Sequence, residues 1–275
     1  MTSNNRMTHK HIPLGKGVTV LKEDELGLIA LEKPAGIKSH PNSVELERGC
    51  LVQAKYDVQR ECYFWKTVKE GEPAVEERLY LLNRLDSPTS GIILVTFFKA
   101  VAETIRELYK TRHVHKTYHA IVKGQPKQIS LTWTDHLERT RTEKRGHLRV
   151  QKGGHSTAIT KVKLEKRDHN GIGISLLRLE PQTGRTHQLR VQSALRHHPI
   201  IGDKTYGDFK LNRAIEKAVE QKRLYLHATA LSLEYQLSGK TSLFEVECAL
   251  PESFSVLMDS NARIRQQLLS IKPLV

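Results

Sequence analysis

Asn83-Arg84-Leu85-Asp86-Ser87-Pro88-Thr89-Ser90-Gly91, followed by the apolar run Ile92-Ile93-Leu94-Val95, is the stretch on which the reading of this chain turns. Residues 79–82 read as a strand entering the segment, and residues 91–98 as a β-branched and aromatic strand leaving it. Between them, Asp86 stands at the mouth of a Pro/Gly turn. An aspartate there has an ordinary use, because its carboxylate can hydrogen-bond the backbone two residues on. It also has a chemical use: held between strand and turn, it is rigid enough to act as a nucleophile. Arg84 lies two residues upstream, and residues i and i+2 of extended backbone point to the same side. The two can share one cleft, the guanidinium keeping the carboxylate ionised or engaging a phosphate or a base. They can equally form a surface ion pair of little worth. From this segment alone the turn reading is favoured.

Composition narrows the partners. The chain has 275 residues, a formal net charge of +14 and 27% charged residues. Neutralising phosphates releases condensed counterions, so such an excess favours a polyanion. No amphipathic basic segment stands out, which favours nucleic acid over an anionic membrane. No apolar run approaches the roughly 20 residues of a membrane span, and residues 1–10 lack the apolar centre of a secretory signal. Cys50, Cys62 and Cys248 are odd in number and form no C-x-x-C pair. Reduced thiols in a cytoplasmic protein are expected rather than a disulfide framework.

Along the chain, residues 1–20 read as a loose arm and 21–275 as one domain. Residues 26–31 form a short buried strand closed by Glu32-Lys33-Pro34-Ala35-Gly36, and residues 44–58 show mixed helical periodicity. Residues 100–109 have helical spacing, with Val101, Ile105 and Leu108 on one face. Residues 116–122 alternate as a strand. The very basic residues 138–154 read as an exposed loop or hairpin. Residues 157–164 and 172–179 are paired strands joined by Asp168-His169-Asn170-Gly171. A turn at 181–184 precedes a helix over 185–195, with Thr183 as its cap. Residues 224–233 and 243–250 are further strands, and 253–271 a closing helix. Strand groups alternate irregularly with helices, which suits an α+β fold.

Three other segments carry candidate chemistry. In Gly184-Arg185-Thr186-His187-Gln188-Leu189-Arg190, a helix start supplies backbone N–H groups to an anion, with Arg185 better placed than Arg190 to reach a cleft; a basic solvated helix fits the spacing as well. In Lys116-Thr117-Tyr118-His119-Ala120, Tyr118 offers an aromatic plate and a hydroxyl, or simply packs in a core. His113, His115 and His119 share a strand face at a spacing compatible with zinc, but no cysteine or H-E-x-x-H glutamate accompanies them, and no metal site is expected. No G-x-x-x-x-G-K-[ST], G-x-G-x-x-G or G-x-S-x-G motif is present, so nothing points to a nucleotide cofactor or a serine hydrolase.

Taken in order, these segments resemble the RluA-type family of RNA pseudouridine synthases. Its H-R-L-D-x-x-T-S-G signature is similar to residues 83–91, its K-x-Y-x-A strand to residues 116–120, and its G-R-T-H-Q-[IL]-R segment to residues 184–190. Residues 32–36 resemble its N-K-P-x-G loop and residues 223–228 its R-L-x-L-H-A strand, so the likeness runs from about residue 26 to 250. Residues 198–208, the following Asn212-Arg213 and the Pro88 variant look most like the TruC-like, tRNA-modifying branch. Asn83 stands where the family has histidine.

The resemblance implies a bent, mostly antiparallel mixed sheet flanked by helices, with a catalytic cleft across the sheet. It implies cofactor-free isomerisation of a uridine in tRNA or rRNA by a monomer lacking an S4-type RNA-binding module. Asp86 would be the catalytic aspartate, Arg185 its guanidinium partner, and Tyr118 the ring that stacks on uracil and assists proton removal. Arg84 would fill the space of the flipped base, and Lys33 and Arg190 would contact RNA. A non-catalytic RNA-binding protein of the same fold is the competing expectation.

Overall fold

A computed structural model describes residues 9–41, 48–68, 73–141, 148–168, 172–259 and 266. In chain order its first part carries β1 (Thr19–Glu23), β2 (Leu28–Lys33), β3 (Lys55–Asp57), β4 (Cys62–Thr67), β5 (Val75–Leu81), β6 (Ser90–Thr96) and α1 (Lys99–Lys110). Then come β7 (His115–Lys123), β8 (Ser130–Arg141), β9 (Leu148–Lys152), β10 (Ser156–Arg167), β11 (Ile174–Pro181), α2 (Gln188–Leu195), α3 (Phe209–Val219), β12 (Leu226–Leu237), β13 (Lys240–Glu247) and α4 (Glu252–Met258). The class is α+β, as expected, and every pairing between these strands whose register is resolved is antiparallel.

The chain forms two compact units, one of residues 1–114 with 230–248, the other of residues 115–229 with 249–275. In the first, β6 pairs with β2 on one side and with β5 on the other, and β4 and β3 extend the β5 edge. All seven residues of β6 are buried, which is why its sequence is a continuous apolar run rather than an alternating one. Val101, Ala102 and Ile105 of α1 pack with Leu28, Ile92, Leu94, Leu231 and Phe244 in this unit's core. In the second, the order is β7-β11-β10-β8-β9. Val162, Leu177 and Leu179 meet Leu189 of α2 over one part of it. Leu211 and Ile215 of α3 meet Phe254 and Leu257 of α4 in another cluster.

Several expectations move. Residues 44–58 are not helical where described: β3 and isolated bridges from Cys50 to Lys38 and from Val52 to Leu14 hold them, and residues 42–47 lie outside the described set. The expected loose arm is held where described, because Ile12 and Val18 are buried and Gly15 N–H donates to the Leu51 carbonyl. Of residues 138–154, those described pair as strands β8 and β9, residues 142–147 lying outside the described set, but Val150 is buried against Leu137 and Val191. The helix expected from 185 begins at Gln188, and α4 is described only to Met258. β1, β3, β4 and α3 were not anticipated. Among the described residues no helix is long and apolar enough to cross a membrane, and the three cysteines are buried and form no disulfide.

Candidate active site

Asp86 lies where two strands part. β5 and β6 pair only at Tyr80–Thr96 and Leu81–Val95, and one more bond runs from Leu82 N–H to the Leu94 carbonyl. Asn83 then replaces the ladder with its side chain: Oδ1 accepts from Leu94 N–H at 2.7 Å, and Nδ2 donates to the Ile92 carbonyl at 3.5 Å. That is what asparagine does here in the place of histidine. Beyond it, both neighbours of Asp86 are tied to residues 33–39. Leu85 N–H donates to Ser39 Oγ at 3.0 Å, and the same hydroxyl donates to the Leu85 carbonyl at 2.7 Å. The Ser87 carbonyl accepts from Gly36 N–H at 2.8 Å, and Ser87 Oγ donates to the Gly36 carbonyl at 3.0 Å. Gly36 has φ +94°, a conformation that a side chain would strain. The Tyr63 hydroxyl donates to the Ser39 carbonyl, holding the clamp from behind.

Each such bond contributes only about 0.5–1.5 kcal/mol net. Their effect is geometric: they fix the backbone on either side of a carboxylate that stays half-buried. Thr89 N–H donating to the Asp86 carbonyl at 3.0 Å closes the turn. The turn reading and the chemical reading are therefore compatible, since the backbone makes the turn and leaves the carboxylate half-buried.

Lys33 departs from expectation. It is fully buried, and its Nζ donates to the carbonyls of Pro34 and Ile37 at 2.9 Å and of Ser87 at 3.1 Å. Three acceptors match the three N–H groups of an ammonium. Burial lowers the amine to about 7, while the negative charge of Asp86 draws it back up. Lys33 is thus a strut joining residues 34–37 to the Asp86 loop, and a buried strut does not contact RNA as expected. Arg84, by contrast, is exposed.

The second unit holds the other candidates. Tyr118 pairs across from Leu179 in the β7–β11 register and packs, half-buried, on the cluster containing Trp133, Leu179 and Leu189. On the opposite face, the His119 ring nitrogens lie 2.8 Å from Thr229 Oγ1 and 2.8 Å from Glu165 Oε2, while His113 Nδ1 pairs with Thr111. His113 and His119 are thus committed to separate partners, and His115 is exposed. Lys116, missed by sequence reading, lies on the Tyr118 side of β7 by strand alternation. Burial lowers its amine, and its Nζ is the atom nearest to where a side chain on Gly184 would begin, at 3.8 Å.

Arg185 precedes α2 rather than starting it. Its own N–H is taken by Gln188 Oε1 at 3.0 Å, its Nε donates to the Thr157 carbonyl at 3.2 Å, and the side chain is exposed. The anion-binding argument from a helix start therefore does not apply to it. Thr183 is not the cap either: its hydroxyl accepts from Ile159 N–H and donates to Gln188. The cap position is His187, at φ +53°, a left-handed conformation costing about 1–2 kcal/mol for a residue with a side chain. The Tyr206 hydroxyl, 2.9 Å from His187 Nδ1, helps hold it.

Arg190 is buried and bonds Asp203 with two prongs, Nε to Oδ2 at 2.7 Å and Nη2 to Oδ1 at 2.9 Å. Burial pushes the Asp203 carboxyl up, but Arg190 and the N–H groups of Thr205 and Tyr206 outweigh it and hold the group below its ordinary value. The guanidinium also lies 5.3 Å from the Tyr206 ring centroid. The expected RNA contact from Arg190 is corrected to a framework role. Its partner was in view as the last residue of His198-Pro199-Ile200-Ile201-Gly202-Asp203, though nothing in the spacing tied the two together.

Residues 27–195 match the family model described as RNA pseudouridylate synthase, a span containing Lys33, Arg84, Asp86, Tyr118, Arg185 and Arg190. The chain belongs to this family. Among similar members, tRNA pseudouridine synthase C of Pectobacterium carotovorum subsp. carotovorum is 31% identical over 229 residues, covering 80% of this chain and 56% of that protein. The chain thus spans little more than half the length of that relative. tRNA pseudouridine synthase C of Yersinia pestis is 29% identical, over 80% of this chain and 82% of that one. Ribosomal large subunit pseudouridine synthase C of Haemophilus influenzae is 31% identical, over 82% and 63%. Of solved structures, human RNA pseudouridylate synthase domain containing 1 aligns with TM-score 0.60 at 22% identity, over 90% of this chain and 96% of that one. That likeness shows the family's fold.

Proposed function

We propose that this chain isomerises a uridine within RNA to pseudouridine, with Asp86 as its catalytic aspartate. The supporting observation is the Asp86 loop: inside the family-matched span, both backbone neighbours of one half-buried carboxylate are clamped to residues 33–39. A side chain so pre-positioned is of use to a reaction step and unnecessary for a turn.

The reaction breaks the bond from N1 of uracil to C1′ of ribose and forms one from C5 to C1′. The C5 proton is lost and N1 gains one, so nothing is oxidised or reduced and no cofactor is required by the balance. Asp86 serves as nucleophile or as stabiliser of the positive charge developing at the sugar. Arg185, exposed and tethered through Nε to the Thr157 carbonyl, is its guanidinium partner. Tyr118 stacks on the uracil, and its hydroxyl assists removal of the C5 proton. A stacked uridine cannot reach a carboxylate of this kind, so the nucleotide is flipped out at a cost of a few kcal/mol, with Arg84 taking the vacated place.

The substrate is tRNA or rRNA, and tRNA is favoured because tRNA pseudouridine synthases C are prominent among the most similar relatives. The protein acts as a cytoplasmic monomer. The test is incubation of purified protein with tRNA and rRNA transcripts, followed by carbodiimide-based primer extension. New stops at defined uridines are expected. Tight RNA binding without any stop would favour the non-catalytic alternative. Tyr118→Phe should keep stacking yet slow the single-turnover rate; an unchanged rate would remove the hydroxyl from the mechanism.

A further inference from the structure

The second unit carries a cavity of about 330 Å³ between α3 and residues 221–225, and no role proposed above uses it. Phe209, Arg213 and Glu216, on one face of α3 by helical spacing, line one side. Lys204, Lys222 and Tyr225 line others. Two features set it apart from an ordinary surface dent. Phe209 leaves 55% of its surface exposed at the rim, which brings an aromatic face to the opening. Finally, cations outnumber acids. Glu216 pairs with Lys222 at 2.9 Å, whereas Lys204 and Arg213 enter no ion pair among the described residues.

An aromatic face and cations without a carboxylate partner among the described residues, around a volume near the lower end of ligand sites, match one ligand chemistry, a base joined to a phosphate. We propose that this cavity holds a nucleotide of the RNA substrate other than the reacting uridine. Its base stacks on Phe209, and its phosphate lies between Lys204 and Arg213. Stacking tolerates any base, and phosphate contacts position without reading sequence. The pocket would therefore set where the RNA lies and leave the choice of uridine to the catalytic groups. This rests on RNA being the substrate.

The test measures RNA affinity of the full chain by fluorescence anisotropy across a salt series. The double variant Phe209→Ala/Arg213→Glu is expected to raise Kd by about tenfold at physiological salt and to flatten the log Kd against log salt slope by about 0.7 to 0.9. Lys240→Glu, a charge reversal at an exposed site in the other unit, is the control. A double variant within about twofold of wild type, or an equal loss from Lys240→Glu, would overturn the assignment, the latter because net charge alone would explain the effect. AMP is titrated in parallel. Saturable AMP binding that the double variant abolishes, with RNA affinity unchanged, would give the pocket to a free nucleotide and equally overturn it. If the wild-type protein binds no RNA, the enzyme reading itself fails; if it binds and the variants bind alike, only the pocket assignment fails.

Discussion

The Asp86 loop of the first unit and the 184–190 segment of the second are both motif-dense and charge-rich, yet they spend their residues differently. Around Asp86 the framework is made of backbone groups, the hydroxyls of Ser39 and Ser87 and one buried lysine, and the acid itself stays half-buried. In 184–190 the framework is made of side chains, Gln188 bonding β10 and Arg190 bonding Asp203, and Arg185 is left exposed. A motif thus mixes chemistry and scaffold in proportions that its letters do not reveal. Burial and partners sort the two.

The contrast can be broken most forcefully at Asp203. Asp203→Ala leaves Arg190 buried and uncompensated, and a loss of about 3–5 kcal/mol is expected. Trp133 in the second unit and Trp65 in the first are the chain's two tryptophans, so urea denaturation of single-tryptophan proteins reports each unit separately. The Trp133 transition should move and the Trp65 transition should not. The pH dependence has a definite sign. Because the folded carboxyl sits below the unfolded value of about 3.9, its contribution is full above that pH and lost as pH falls through the folded value. The variant's stability should accordingly fall less steeply below about pH 4 than that of wild type, and parallel acid limbs would contradict the assignment.

A smaller effect is expected at Ser39. Ser39→Ala strips a buried backbone N–H and carbonyl of Leu85 of their shared partner, costing about 1–3 kcal/mol. The Trp65 transition should carry this loss, and the single-turnover rate should fall with it because the clamp beside Asp86 is gone. A stability loss with an unchanged rate would show that the clamp serves folding alone. Smallest on the stability scale is Arg185→Gln: exposed and singly tethered, it should change either transition by less than about 0.5 kcal/mol while slowing turnover about a hundredfold. Full activity would return Arg185 to the solvated-helix reading.

How much of this was legible beforehand follows the same division. Strands β2, β5, β6, β7, β10 and β11 and helix α1 announce themselves because their apolar residues recur at a regular spacing or in an unbroken run. β3 and β4 were missed because residues 48–67 mix apolar, aromatic and charged residues without a clear period and form short, edge-ward strands. α2 was started three residues early because the Gln188 side chain and the left-handed His187, both tertiary devices, hold 184–187 out of the helix. Asp86 was legible through its turn and its neighbours. Lys33 and Arg190 were misread as RNA contacts because a basic residue in a motif looks the same whether it faces a phosphate or a buried carbonyl. Ser39, which braces the proposed catalytic loop from 46 residues away, left no local signal.

The most direct test of the central claim is the Asp86→Asn protein, compared with wild type for pseudouridine formation in single turnover and for both tryptophan transitions. The claim requires that product formation disappear while RNA binding and both transitions stay within experimental error, since the clamps act on the backbone and on residues 85 and 87. Product at a rate within about tenfold of wild type would show that the clamped carboxylate is not the group that performs the reaction.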